Sequence, residues 1–158
     1  MAGYAASNLN ATTPAQQSMS TAFKTLINLS SGATARRSRV HEFVFGTDGT
    51  PTDHNMVFDV SRSSAIGTGV AGVIVPNDPA DAASLSVATI NQTVEPTVTA
   101  NSSQWVAAIN VRATHRWVAY PGQELVIPAT TAAGLAFRAK SPSGYTSTAV
   151  AALEFVEQ

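Results

Sequence analysis

Polar and apolar side chains alternate along Trp105-Val-Ala-Ala-Ile-Asn-Val-Arg-Ala-Thr-His-Arg-Trp-Val-Ala-Tyr120. The odd positions hold Trp105, Ala107, Ile109, Val111, Ala113, His115, Trp117 and Ala119, while the even ones include Asn110, Arg112, Thr114, Arg116 and Tyr120. A period of two is the period of a β-strand, and it turns both tryptophans toward the core. At about 3.3 Å per residue the run spans roughly 50 Å, enough for one strand across a small domain or two strands with a bend between them.

The same pattern recurs in shorter pieces. From Thr21, Phe23, Thr25, Ile27 and Leu29 share one side, with Lys24 and Asn28 on the other, until Ser30-Ser-Gly-Ala-Thr34 breaks the run. Arg39–Phe45 and Asn55–Val60 flank an Asp-Gly turn signal in Gly46–Pro51, which predicts a hairpin with a long connection. Extended segments are also expected at Val73–Pro76, Leu85–Ile90, Glu95–Thr99, Glu124–Ile127, Gly134–Arg138 and Thr148–Val156. Asp81-Ala-Ala-Ser-Leu85 has the form of a cap with one helical turn.

Eight or nine short strands at near-regular spacing predict an all-β fold, an antiparallel β-sandwich of jelly-roll-like or other Greek-key winding. Residues 1–20 are small and polar with no face to bury, and read as an extended N-terminal arm; residues 21–158 read as the single sandwich domain.

Composition adds two constraints. Apolar residues make up 44% of the 158, but charged ones only 12%, about half the usual share, so the surface must be largely neutral and hydroxyl-rich. A net charge of −1 gives no bulk attraction to nucleic acid or to an acidic membrane, while scarce charge favours self-association. With no cysteine there is neither a disulfide nor a thiolate. The first ten residues lack the basic start and apolar core of a secretion signal. The sequons at Asn10, Asn28, Asn91 and Asn101 are expected by chance in so Ser/Thr-rich a chain.

Candidate chemistry is sparse. His115 falls on the Trp117 face, where a hydrogen-bonded core imidazole is the expected role, and His41 lies between Arg39 and Phe43 on a sheet surface. Asp48, Asp53, His54 and Asp59 crowd one turn, and Asn77, Asp78 and Asp81 another, but neither spacing is a ligand pattern, so neither a metal nor another cofactor is expected. Gly67-Thr-Gly-Val-Ala-Gly72 satisfies Gly-x-Gly-x-x-Gly, yet a β-branched, proline-stopped segment follows where a helix should open, so it reads as a flexible glycine stretch. Without a Gly-x-Ser-x-Gly motif or an evident carboxylate pair, no enzymatic activity is expected. Arg36-Arg-Ser-Arg39 is the basic cluster, and since seven of the nine basic residues are arginine, contact with a partner protein is the expected use.

Phe58-Asp-Val-Ser61, Trp105–Val111, Tyr120-Pro-Gly-Gln-Glu-Leu-Val-Ile-Pro128, Ala133-Gly-Leu-Ala-Phe137 and the closing Ala149–Glu157 give the chain a pattern that resembles the decoration, or cement, proteins of tailed-bacteriophage heads. The resemblance implies a non-enzymatic virion protein on the capsid exterior, bound to the major capsid protein and bridging neighbouring subunits, itself a homo-oligomer with a trimer favoured. Tyr4, Leu9, Phe23, Arg36, Arg37 and Arg39 are the candidate contact residues. The alternative is a carbohydrate- or receptor-binding module using Trp105, Trp117 and Tyr120, which requires those rings to be exposed.

Overall fold

The alternating segments become thirteen strands among the residues that the structure, a computed structural model, describes: 2–11, 17–50 and 52–158. In chain order they are β1 (Gly3–Ser7), β2 (Gln17–Ser18), β3 (Lys24–Ser31), β4 (Ser38–Asp48), β5 (Asn55–Ser63), β6 (Thr68–Gly72), β7 (Ile74–Pro76), β8 (Ser86–Val94), β9 (Val98–Asn110), β10 (His115–Val118), β11 (Leu125–Ile127), β12 (Gly134–Lys140) and β13 (Thr148–Glu157). They form two antiparallel sheets. The first runs β10-β4-β13-β1-β7, with β11 extending β10's place on β4 and β2 that of β1 on β13; the second runs β6-β8-β3-β12-β5-β9. The sheets face each other as a β-sandwich, as the sequence predicts.

Three expectations are corrected by this topology. β4 and β5 do not form a hairpin: β4 pairs with β13 and β10, β5 with β12 and β9, and the connection between them crosses from one sheet to the other. Their apolar faces meet across the interior, where the Phe45 and Phe58 rings are 4.9 Å apart. Residues 81–85 form no helical turn; the segment before them is a turn in which Asp78 Oδ1 accepts the Ala80 N–H at 2.9 Å. Thr68–Gly72, expected as a flexible glycine stretch, forms β6 at an edge of the second sheet. Gly67 has φ +77° and a Cβ on Gly69 would lie 2.5 Å from the Ile90 carbonyl, so these glycines permit close approach to β8.

The N-terminal segment is corrected as well. Gly3–Ser7 lies inside the first sheet, with β13 on one side and β7 on the other, and does not extend from it. Asn8 continues the ladder with its side chain: Nδ2 donates to Ala149 O at 3.0 Å and Oδ1 accepts the Ala151 N–H at 2.9 Å.

The long 105–120 run resolves into two strands. β9 ends at Asn110, a tight turn follows, and β10 enters the other sheet, so the chain closes one side of the sandwich by crossing layers. Trp105 and Trp117 keep the predicted orientation and pack on Phe43 at 5.2 Å and 4.9 Å; Phe137 approaches the same ring from the second sheet at 5.6 Å. Each fully buried phenylalanine contributes about 1.5–3 kcal/mol by burial, and aromatic pairing adds about 0.5–1.5 kcal/mol per contact. This aromatic pile is the centre of the core.

Candidate partner-docking face

The two outward surfaces of the sandwich differ. On the second sheet, polar groups consume one another: Arg138 Nε donates to Asp59 Oδ2 at 2.5 Å, the hydroxyls of Ser61 and Ser103 donate to the same carboxylate, and Ser63 Oγ donates to Asn28 Oδ1 at 2.7 Å. On the first sheet, small apolar side chains on four neighbouring strands share the outward face with Ser7, Glu42 and Glu154.

Strand parity builds that apolar face. In β1, Tyr4 and Ala6 point inward, leaving Ala5 and Ser7 outside; in β13, Ala151, Leu153 and Phe155 point inward, leaving Val150 and Ala152 outside; in β4, Phe43 and Phe45 point inward, leaving Val44 and Gly46 outside. Val75 of β7, 43% exposed, completes the strip. Two shallow concavities share Val44 and Ala152: one of about 190 Å³ bordered by Ala5 and Val75, and one of about 380 Å³ bordered by Leu9 and Val150.

Two carboxylates interrupt the strip: Glu154 of β13 stands between Ala5 of β1 and Glu42 of β4, and both border the smaller concavity, while Asp48 borders the larger. Glu42 accepts two hydrogen bonds from Arg116, Nε at 2.5 Å and Nη2 at 2.6 Å. That bidentate contact holds the Glu42 carboxyl below the usual carboxylate range and raises the Arg116 guanidinium. His41 Nε2 lies 3.5 Å from Glu154 Oε2.

The six candidate contact residues do not share a patch. Tyr4 is 3% exposed, stacks on Phe155 at 5.5 Å and donates its hydroxyl to Ala82 O at 3.0 Å; burial raises its pKa, and a role at a partner surface is ruled out by its inward parity. Leu9, 36% exposed, does lie on the apolar face. Phe23 is on the other sheet, under the Arg138 guanidinium at 4.4 Å and the Lys140 ammonium at 4.9 Å.

The arginines are also split. Arg36 and Arg37 extend from a loop whose backbone is fixed by Ser31 and Gln158, whereas Arg39 is occupied by Glu124 at 3.6 Å and by Gln158 Oε1 at 3.1 Å. That loop meets β13 at its C-terminal end and Leu9 follows Asn8 at Ala151, so about 20 Å of strand separates them. Ala5, Val44, Val150 and Ala152 escape a search for large or charged residues. Their signal is a stretch apolar at both parities, as in Ala149–Leu153.

The other candidate groups disperse. Asp53 accepts from Asn110 Nδ2 at 2.7 Å, Asp59 is engaged by Arg138, and His54 turns Nδ1 to Thr52 O at 2.7 Å and Nε2 to Ser141 and Ser147 at 3.3 Å. No three of His, Cys, Asp or Glu among the described residues could hold one ion. Of the three aromatics offered for a sugar, Trp105 and Trp117 are packed on the core and Tyr120 is 82% exposed. The Asn28 sequon is fully buried. Compared with known proteins, the chain matches no family model, no curated protein and no solved structure.

Proposed function

We propose that this chain is a structural virion protein that binds the outer surface of a phage capsid through the outer face of its first sheet, contacts the major capsid protein and bridges neighbouring subunits. The observation that carries the reading is the set of Ala5, Val44, Val75, Val150 and Ala152, which brings small apolar side chains of four strands together around two concavities, with Glu42 and Glu154 as the charges on the same face. A solvated sheet face ordinarily alternates to polar residues. On the first sheet Ala5, Val44, Val75, Val150 and Ala152 depart from that rule on adjoining strands. The resemblance of the sequence pattern to capsid decoration proteins suggests the kind of partner, and small side chains suit it, since they let another backbone approach closely over a broad area. Many modest contacts at repeated sites then stabilise a shell through multivalency.

The test uses shells that lack the protein. Purified protein added to them is expected to reach saturable occupancy and to raise the temperature at which the shells rupture. The double substitution Val44→Glu with Ala152→Glu places two unpaired charges in the strip and is expected to weaken occupancy at least tenfold, about 1.4 kcal/mol or more, with an unchanged circular dichroism spectrum. Shells that stay bare with the wild-type protein, or occupancy indifferent to both charges, would overturn the reading.

A further inference from the structure

Strand β9 is the edge of the second sheet, and its C-terminal half is built unlike a protected edge. Its first half is irregular: the pairing with β5 shifts twice between Val60 and Ser63, and Asn101 has φ +55°. From Trp105 to Asn110 the register with β5 is unbroken, and the segment Trp-Val-Ala-Ala-Ile-Asn holds no charge, proline or glycine. Edge strands are ordinarily kept apart by charge, proline, bulges or brevity. The neighbouring edges follow that rule: β7 has three residues and ends at Pro76, β10 has four and carries Arg116, and β6 is glycine-rich with a shifted register.

The free backbone groups can be identified. Val111 N–H donates to His54 O at 3.0 Å, which makes 111 and 54 a hydrogen-bonded pair in the register that pairs Asn110 with Asn55. In an antiparallel ladder such pairs alternate, so Ile109, Ala107 and Trp105 direct their N–H and C=O to β5. Val106 and Ala108 therefore direct theirs away from the sheet. Val106 is 60% exposed and Ala108 is exposed.

We infer that this edge pairs antiparallel with the same edge of a second copy of the chain, about a two-fold axis through Ala107. An axis normal to the sheet keeps each side chain on its own face, so odd positions must meet odd and even meet even. Centred on Ala107, the register sets Val106 opposite Ala108 of the second copy, and all four outward donors and acceptors are matched. On the inner face Trp105 comes opposite Ile109 of the second copy, extending the core across the seam. At the axis the two Ala107 residues form the close, non-hydrogen-bonded pair, at about 4.5 Å between Cα atoms, where a small side chain fits. Gln104 opposite Asn110 closes each end with uncharged polar groups. The length and chemistry of the regular segment are thus complementary to themselves, which is why a second copy, and not an unrelated strand, is the occupant. The contact is isologous and closes at two copies, unlike the trimer that the resemblance implies.

Sedimentation velocity of the full chain over about 1–100 μM is expected to show a dimer. Ala108→Pro removes an outward N–H that β5 does not use, a position where an edge strand tolerates proline. Val106→Lys places two charges at the seam. Each is expected to shift dissociation to at least tenfold higher concentration with circular dichroism unchanged. Adding Ala108→Glu to Val106→Lys sets opposite charges facing each other in this register and should restore the dimer. If a variant fails to fold, hydrogen exchange of the wild type decides: the Val106 and Ala108 amides should gain protection as concentration rises. A monomer throughout, a trimer, a dimer indifferent to these substitutions, or an edge that pairs only with a foreign strand would each overturn the inference. Because none of these measurements involves a shell, their outcome is separate from that of the capsid reading.

Discussion

Arg138 Nε and Asp59 Oδ2 are 2.5 Å apart on the outer face of the second sheet, where Asp59 is only 3% exposed. The two strands that carry them pair residue for residue at this point, so the ladder itself sets the charges side by side. Phe23 lies over the guanidinium, and the hydroxyls of Ser61 and Ser103 also donate to the carboxylate. Removing one member of so enclosed a pair leaves the other charge without a partner, which costs about 3–5 kcal/mol. Arg138→Ala is therefore expected to lower stability in urea denaturation by about 3 kcal/mol. Replacing both residues by leucine should cost less than the sum of the single changes. Equal, additive losses would mean that the pair is not coupled.

Asn8 is the second stability determinant. Its amide both donates to and accepts from β13, standing in for a strand residue where β1 has ended. Asn8→Ala leaves the Ala149 carbonyl and the Ala151 N–H buried without those partners, and an expected loss of about 1–3 kcal/mol follows. Thermal or urea unfolding measures it. A change within about 0.5 kcal/mol would show that water replaces the amide readily.

Acid should release the loop before β8. Burial pushes the Glu157 carboxyl up, but donation from the Ser84 hydroxyl and the Ser86 and Leu85 N–H groups outweighs it, and the net shift is downward. A lowered folded-state pKa means the unfolded chain binds the proton first, so the stabilisation is complete above the ordinary glutamate value of about 4.3 and is lost as pH falls through the folded value. Stability is expected to be flat from about pH 7 to 5 with respect to this group and to fall below about pH 4. Glu157→Gln should remove part of that acid slope, with the Leu85 and Ser86 amides exchanging faster. An unchanged slope in the variant would refute the role.

The legibility of this chain differs between its parts. Alternation located β9 and β10 and correctly turned Trp105 and Trp117 inward, because side-chain period is a local property of extended backbone. The same reasoning failed for β4 and β5, whose strands were recognisable while their partners were not: the connection has the length and turn chemistry of a hairpin, and nothing local distinguishes it from a crossing between sheets. It failed again for Gly3–Ser7, too short and too rich in alanine to declare a face, yet held by pairing with residues near the other end of the chain.

The candidate site illustrates the same division. Large and charged residues drew attention to Tyr4, Phe23 and Arg36 to Arg39, whereas the apolar surface is made of Ala5, Val44, Val150 and Ala152, residues that are unremarkable one at a time. The sequence by itself determined that the chain is a sparsely charged β-sandwich, since composition and period two are properties of residues and their near neighbours. Only the tertiary structure decided which strands are edges, which face of an all-apolar strand is covered, and which backbone groups are left over. Those outcomes depend on pairings between residues as distant as Tyr4 and Phe155, and such pairings are fixed by closure of the whole sandwich and not by any segment alone.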